Sequence, residues 1–412
     1  MKKLNKSLKN LCSILIVVIV MFSLSACKAS EEEKKLNIFL DTTDEHSTEV
    51  IKFLIDDYEK SNPDVEVKLN DVLGDKGDIV EKINVGTKVD VIFTNRNNLI
   101  ELSQKGVLSD LQGTYDENAL SDRYYDILGS YGRVGDKYYG IGVVPYSIEL
   151  LYNKANLKKL NISDPSNSKQ WLKALKQING KGIKTTVALT DDVDANGYLF
   201  SLVAGNVINI HELEENYDSG EESYKKLKDM QEIFKEFNSL TKENEITKNS
   251  FELGNEQSII NFNNSESPLL VSISYYNSKL KENNIGIVGD YDDDSKYGSN
   301  APVIVNSLIC VPVNAKNPDT ADEFIKYIYS DKVQAKLVQK GIISGNKIVN
   351  NKISGIGKLM VQHMYKANDN SMLILYNLPA KIKNNLILAL EKILDGNYNS
   401  KEWENVLKKS YK

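Results

Sequence analysis

Apolar and polar positions alternate in strand and helix registers from residue 36 onward. Residues 36–40 are an apolar-rich run of strand length, and 65–69 alternate with a period of two. Between them Ile51, Leu54, Ile55 and Tyr58 recur at i, i+3, i+4 and i+7, one face of a helix over 48–60 that Asn62-Pro63 ends. Residues 79–85 suit a second helix, 89–93 a third strand, and 98–104 a third helix closed by Gly106. This strand–helix order predicts an α/β fold, a parallel sheet with helices on its faces.

The texture changes at 135–153. Gly135-Asp136 between extended arms suits a tight hairpin. Gly140, Gly142 and Pro145 then interrupt the chain before a second extended run at 147–152. This is extended chain with permissive joints, as a strand passing between two bodies would be. Beyond it, 154–160 and 168–177 read as helices, 185–189 as a strand and 197–205 as a helix. A long amphipathic helix is expected over 221–240, with Tyr224, Leu227, Phe234 and Phe237 in register. Residues 290–300 read as a polar loop and 307–313 as a strand. Asn317 is placed to cap a helix with Pro318 at its first position. Two amphipathic helices joined near Gly396 close the chain.

The N-terminus is a targeting segment. Lys2, Lys3, Lys6 and Lys9 precede an almost wholly apolar run from Leu11 to Leu24, too short for a comfortable bilayer span. It ends Leu24-Ser25-Ala26-Cys27, the pattern of a bacterial lipobox, which makes 1–26 a signal peptide and Cys27 the lipid-bearing first mature residue. Residues 27–35, with Glu31, Glu32 and Glu33, read as a solvated tether. Removing Cys12 and lipidating Cys27 leaves only Cys310, in an apolar run, so no disulfide is expected. The 412 residues are 41% hydrophobic and 26% charged, with a net charge of −6. That balance fits a globular body of two or three domains and argues against nucleic acid as a partner.

Catalytic and cofactor motifs fail. His211-Glu212 lacks the second histidine of a zinc HExxH, no GxSxG elbow or phosphate-cradling loop occurs, and Gly140-x-Gly142 meets Pro145 where a dinucleotide site needs glycine. Asp192, Asp194 and Asn196 begin a calcium-loop pattern, but Val203 stands where its bidentate carboxylate belongs; a helix-capping loop is the reading. Asp290, Asp292 and Asp294 alternate likewise and read as a surface loop. No enzyme activity, metal or cofactor is therefore expected. Tyrosine is in excess, 22 against 2 Trp, and a tyrosine offers a flat apolar face with a hydroxyl at its rim.

Several stretches resemble bacterial extracellular solute-binding proteins, and most closely the maltose- and oligosaccharide-binding group of ABC importers (family 1). They are GDKYYGIGVVPYSIELLYN at 135–153, NPDVEV at 62–67, Asp90-Val91 through Leu111, Trp171, 251–261 as a helix, 269–273 as the strand after it, and above all NPDTADEFIKYIYSDKVQAKLVQKG at 317–341. The resemblance implies a two-lobe periplasmic-binding-protein-like fold with three interlobe crossovers. The first lobe would hold 36–141 plus 301–344, and the second 142–300 plus 345–412. It implies a monomer on the outer face of the cell membrane, or in a periplasm, that captures a sugar or oligosaccharide and delivers it to an ABC permease. The cleft residues it implies are Thr43, Asp44, Asn95 and Arg96, after the first and third strands, and Tyr146, Tyr198, Tyr275 and Tyr276 from the second lobe. A secreted glycan hydrolase and a surface sensor or adhesin remain the alternatives at this stage.

Overall fold

The computed structural model describes residues 34–42, 44–71, 88–205, 207–289, 291 and 300–412. The signal peptide, Cys27, most of the tether, Thr43, the helix expected at 79–85 and most of the 290–300 loop lie outside them. Two sheets organise the described chain, each the centre of one lobe.

In the first sheet, β1 (Lys34–Asp41) lies between β2 (Val65–Asp71) and β3 (Val91–Thr94), all parallel. β1 takes in the last two residues expected in the tether. Residues Leu36 to Leu40 are buried throughout, as befits a strand covered on both faces by helices. The helix α1 (Glu45–Ser61) packs on this sheet through Val50, Ile51, Leu54, Ile55 and Tyr58, the expected face. α2 (Arg96–Gln104) follows β3, and α3 (Asp126–Gly132) leads into a hairpin of β4 (Arg133–Val134) and β5 (Lys137–Tyr138) that turns at Gly135-Asp136 as expected.

The chain then changes lobes. β6 (Ile141–Gly142) belongs to the first sheet, and β7 (Tyr146–Asn153) to the second. The second sheet adds β8 (Thr185–Ala188), β9 (Phe251–Leu253), β10 (Leu269–Ile273) and β11 (Ile285–Ile287) in the order β11-β7-β10-β8-β9. The return strand is split the same way. β12 (Val303–Ile304) pairs with β7, while β13 (Leu308–Cys310) pairs with β3 and β6. The two crossovers therefore run antiparallel, side by side, joined by Val143 N–H donating to Ser307 O at 3.0 Å. The changeovers fall at 142–146 and 304–308, a few residues beyond the expected boundaries. After 344 the chain stays on the first lobe, with Gly345 O accepting from Tyr125 N–H, Lys347 N–H donating to Arg123 O and Asn350 Nδ2 donating to Tyr125 Oη. It reaches the second lobe only with the helix Ile356–Lys366, whose His363 meets Glu149, so the third crossover falls between 350 and 356, later than expected. A Cβ on Gly345 would stand 2.9 Å from Val143 O and 2.4 Å from Leu128, so only glycine lets this segment lie against the first crossover.

Three elements differ from expectation. The helix expected over 221–240 is two, Glu221–Tyr224 and Asp229–Glu243. Lys225 reaches back to Glu221 and Glu222, and the intervening turn carries Leu227 inward. The helix expected at 251–261 is β9 followed by a helix at Glu256–Asn263. Gly254 N–H prolongs the ladder to Val187 O, and Asn255 then caps a fresh helix start. Asn317 does precede the helix Pro318–Ile328, but its side chain does not cap it. It donates instead to Asp90 Oδ2 at 2.9 Å, where Asn37 Nδ2 also donates. Burial opposes the Asp90 charge, yet these hydrogen bonds outweigh it and hold the carboxyl below its ordinary pKa. Among the described residues no helix is long and apolar enough to cross a membrane.

Candidate functional site

Parallel strands present their carboxyl ends to one rim of a sheet, and both sheets end there in a carboxylate. In the first, Asp41 closes β1 opposite Thr94 of β3. Asp41 Oδ2 accepts from Thr94 Oγ1 at 2.9 Å and from Asn98 Nδ2 at 2.8 Å. In the second, Asp192 follows β8 and accepts from Asn306 Nδ2 at 3.1 Å and from Tyr376 O–H at 2.6 Å. Asp194, two residues on, caps the helix Ala195–Ala204 through Gly197 N–H, the capping-loop reading. Among the described residues no group of three or more His, Cys, Asp and Glu side chains is arranged to hold a metal ion.

Several residues expected in the cleft hold the structure around it. Asp44 is buried and caps α1, accepting from Ser47 N–H at 2.9 Å. Asn95 caps α2 through Asn98 N–H. Arg96 is fully buried. Its Nη2 donates to Glu214 at 2.5 Å, its Nε to Asn377 Oδ1 at 2.7 Å, and its Nη1 to the carbonyls of Ser130, Tyr131 and Arg133. Burial draws the guanidinium below its ordinary pKa, and the Glu214 charge opposes that. Tyr198 is buried inside the second lobe, its hydroxyl without a hydrogen-bond partner among the described residues. It does not join the other three tyrosines.

Those three do assemble. The short 3₁₀ helix at Ser274–Lys279 follows β10 and carries Tyr275 and Tyr276 to the first lobe. Tyr275 meets the buried Tyr146 ring edge-on at 5.8 Å. His46, from the first turn of α1, inserts edge-on against Tyr275 at 4.5 Å and Tyr276 at 5.3 Å. Its Nε2 is 2.8 Å from Tyr276 Oη, and Tyr275 O–H donates to Glu49 at 2.5 Å. Burial pushes the Tyr276 phenol up to about 12. Asp191 completes the junction by accepting from Glu45 N–H, at 3.2 Å. His46, Asp41, Asp191 and Tyr376 were missed from the sequence, and Asp192 was read only as part of a helix-capping loop. The rule that ligands gather at carboxyl strand ends, applied to the strand at 185–189, would have reached Asp191 and Asp192; nothing local marks His46 or Tyr376.

Two sheets joined by paired crossover strands, with acids at the strand ends between them, define a two-lobed binding protein. Residues 54–354, well over half of the chain, match the bacterial extracellular solute-binding proteins, and the chain belongs to that family. It is 27% identical over 192 residues to the multiple sugar-binding protein of Streptococcus mutans serotype c. That match takes in 44% of each chain, under half the length of this curated relative. The fold is similar to that of a family 1 extracellular solute-binding protein from Bifidobacterium longum subsp. infantis (TM-score 0.66, 19% identity, 92% of this chain and 99% of that one). It is also similar to the GacH receptor of Streptomyces glaucescens, solved unliganded and with acarbose (TM-score 0.60, 18% identity, 92% and 97%).

Proposed function

We propose that this chain is a lipid-anchored receptor that captures a sugar or short oligosaccharide between its lobes and delivers it, chemically unchanged, to an ABC permease. Residues 1–26 are the signal peptide in this reading, and Cys27 carries the lipid. The lobes are 36–141 with 301–344, and 142–300 with 345–412, adjusted as noted above. Family membership supports the receptor role, and the sugar-binding relative supports the solute class. The observation that carries the reading is the pair of strand-end carboxylates, Asp41 and Asp192, each already oriented by an amide and a hydroxyl. Fixed carboxylates accept strong hydrogen bonds from the hydroxyls of an uncharged polyol.

A thermal-shift screen over mono- and oligosaccharides, peptides and polyamines tests it. A solute binding only the folded state at about 100 times its Kd adds roughly 2.7 kcal/mol. The reading expects a saccharide to raise the melting temperature and to be recovered intact by mass spectrometry. A saccharide-silent screen with a peptide or polyamine response overturns the solute class, and a converted saccharide restores the hydrolase. Cys27→Ser should move the protein from the membrane to the soluble fraction; normal processing with full retention would remove the anchor from the reading.

A further inference from the structure

A cavity of about 190 Å³ opens beside the tyrosine junction, and neither Asp41 nor Asp192 lines it. Glu49 and Phe53 of α1, with Lys340 and Ile342, wall it from the first lobe, and Tyr275 and Ser278 from the second. Gly341 sets how closely the two sides approach. A Cβ there would stand 2.2 Å from Ser278 Cβ, on backbone at φ +83° that favours glycine. The space is that of roughly six water molecules at about 30 Å³ each.

The lining divides by chemistry. Phe53, Ile342 and the Tyr275 ring are apolar. Two side chains of opposite charge stand over them. Lys340 Nζ lies 4.5 Å from the centre of the Phe53 ring and has no carboxylate partner among the described residues. One Glu49 oxygen accepts from Tyr275 O–H at 2.5 Å, and the other takes no hydrogen bond among the described residues. Lys279, at the rim, is already paired with Glu256 at 2.8 Å. Glu49 and Phe53 are four residues apart on α1, so their Cβ atoms lie about 6 Å apart on one face. Lys340, resting on Phe53, is thus about one helical turn from Glu49, yet the two form no ion pair.

Opposite charges held this near one another, but apart, match a molecule that carries both signs close together. An α-amino acid does so, with its ammonium and carboxylate on one carbon. Charge-assisted hydrogen bonds of about 2.8 Å on either side let that head group bridge Glu49 and Lys340. The apolar floor between them favours an apolar side chain over a polar one. We propose that this cavity binds one zwitterionic amino acid with a branched apolar side chain of leucine's size. Its ammonium donates to Glu49, its carboxylate accepts from Lys340 and Ser278 O–H, and its side chain lies on Phe53 and Ile342. The site is separate from the strand-end cleft and stands or falls whatever solute that cleft takes.

Three probes of one shape test it on the full chain at neutral pH without any saccharide. They are L-leucine, leucinamide, which lacks the carboxylate, and 4-methylpentanoate, which lacks the ammonium. In a ligand-observed NMR titration leucine should bind at least about tenfold more tightly than either analogue, since each lacks one charge-assisted contact. Lys340→Gln should erase the preference over leucinamide and keep that over 4-methylpentanoate; Glu49→Gln should do the reverse. Both side chains are exposed, so the variants should keep the fold, which a thermal melt checks. The three-probe comparison in the unaltered protein needs no variant. Absence of leucine binding overturns the proposal, as does equal affinity for all three probes. A preference that survives both substitutions overturns it too, by placing leucine elsewhere on the molecule. A saccharide-silent screen leaves these outcomes untouched, and their failure leaves the receptor reading untouched.

Discussion

Replacing Glu214 by alanine isolates the buried pair. The substitution leaves the Arg96 guanidinium 0% exposed with no carboxylate against it. Withdrawing one partner of a buried ion pair costs about 3–5 kcal/mol. Arg96 would keep Asn377 and three backbone carbonyls as acceptors, so the lower end, about 3 kcal/mol, is expected. At about 2 °C per kcal/mol for a chain this large, the melting temperature should fall by roughly 6 °C. Urea unfolding should be followed by two probes, because Trp171 and Trp403 both report on the second lobe, whereas far-ultraviolet circular dichroism reports on both. The double variant Arg96→Met/Glu214→Leu removes both charges and should return to within about 1–2 kcal/mol of the parent, since apolar replacements of buried pairs are often neutral. A loss below about 1 kcal/mol in Glu214→Ala would refute the reasoning, because only a solvated pair is worth so little.

His363 should make stability fall as pH rises. Burial disfavours its imidazolium, but Glu149 at 2.8 Å from Nδ1 and the Gly289 carbonyl at 3.2 Å from Nε2 outweigh burial and raise the pKa above its ordinary value. A raised folded pKa means the contribution is complete below the unfolded value of about 6.5 and lost as pH climbs through the folded one. The urea midpoint should therefore decline as pH climbs above about 6.5, and His363→Gln should flatten that decline; a parent midpoint that rises instead, or the same slope in both proteins, would count against the pairing. Gly132→Ala places a Cβ 1.8 Å from the Gly140 carbonyl oxygen, in backbone that cannot step aside, so a loss above about 3 kcal/mol is expected by thermal melting. Gly113→Ala, whose Cβ meets nothing within 4 Å, is the control and should melt as the parent does.

What could be read from sequence was what local pattern controls. The face of α1, the Gly135-Asp136 hairpin, the helix start at Asn317-Pro318 and the closing pair of helices all stand on spacing within a dozen residues. The short strand β9 escaped because three residues carry no period, and the ladder to β8 that makes it a strand is tertiary. Arg96 was correctly placed at a strand end, yet its fate was decided by Glu214 and Asn377, 118 and 281 residues away. The same holds for Tyr276, whose partner His46 is 230 positions earlier. A residue's address at the rim of a sheet follows from the chain near it; whether it faces solute or another protein group depends on distant partners.

The order of the first sheet, β2-β1-β3-β13-β6, has a bearing on how the molecule is made. Among the described residues β6 pairs with no strand but β13, and β13 fills the place beside β3. The N-terminal lobe therefore cannot finish its sheet until residues past 308 have arrived, whereas β7, β8, β9 and β10 come from one continuous stretch ending at Ile273. Maturation should run against the direction of synthesis, with the later-emerging lobe acquiring its native sheet first. Until then β3 presents a bare apolar edge, the kind of surface on which chains stick to one another. The interval between β3 and β13 is thus where a chaperone would be most needed.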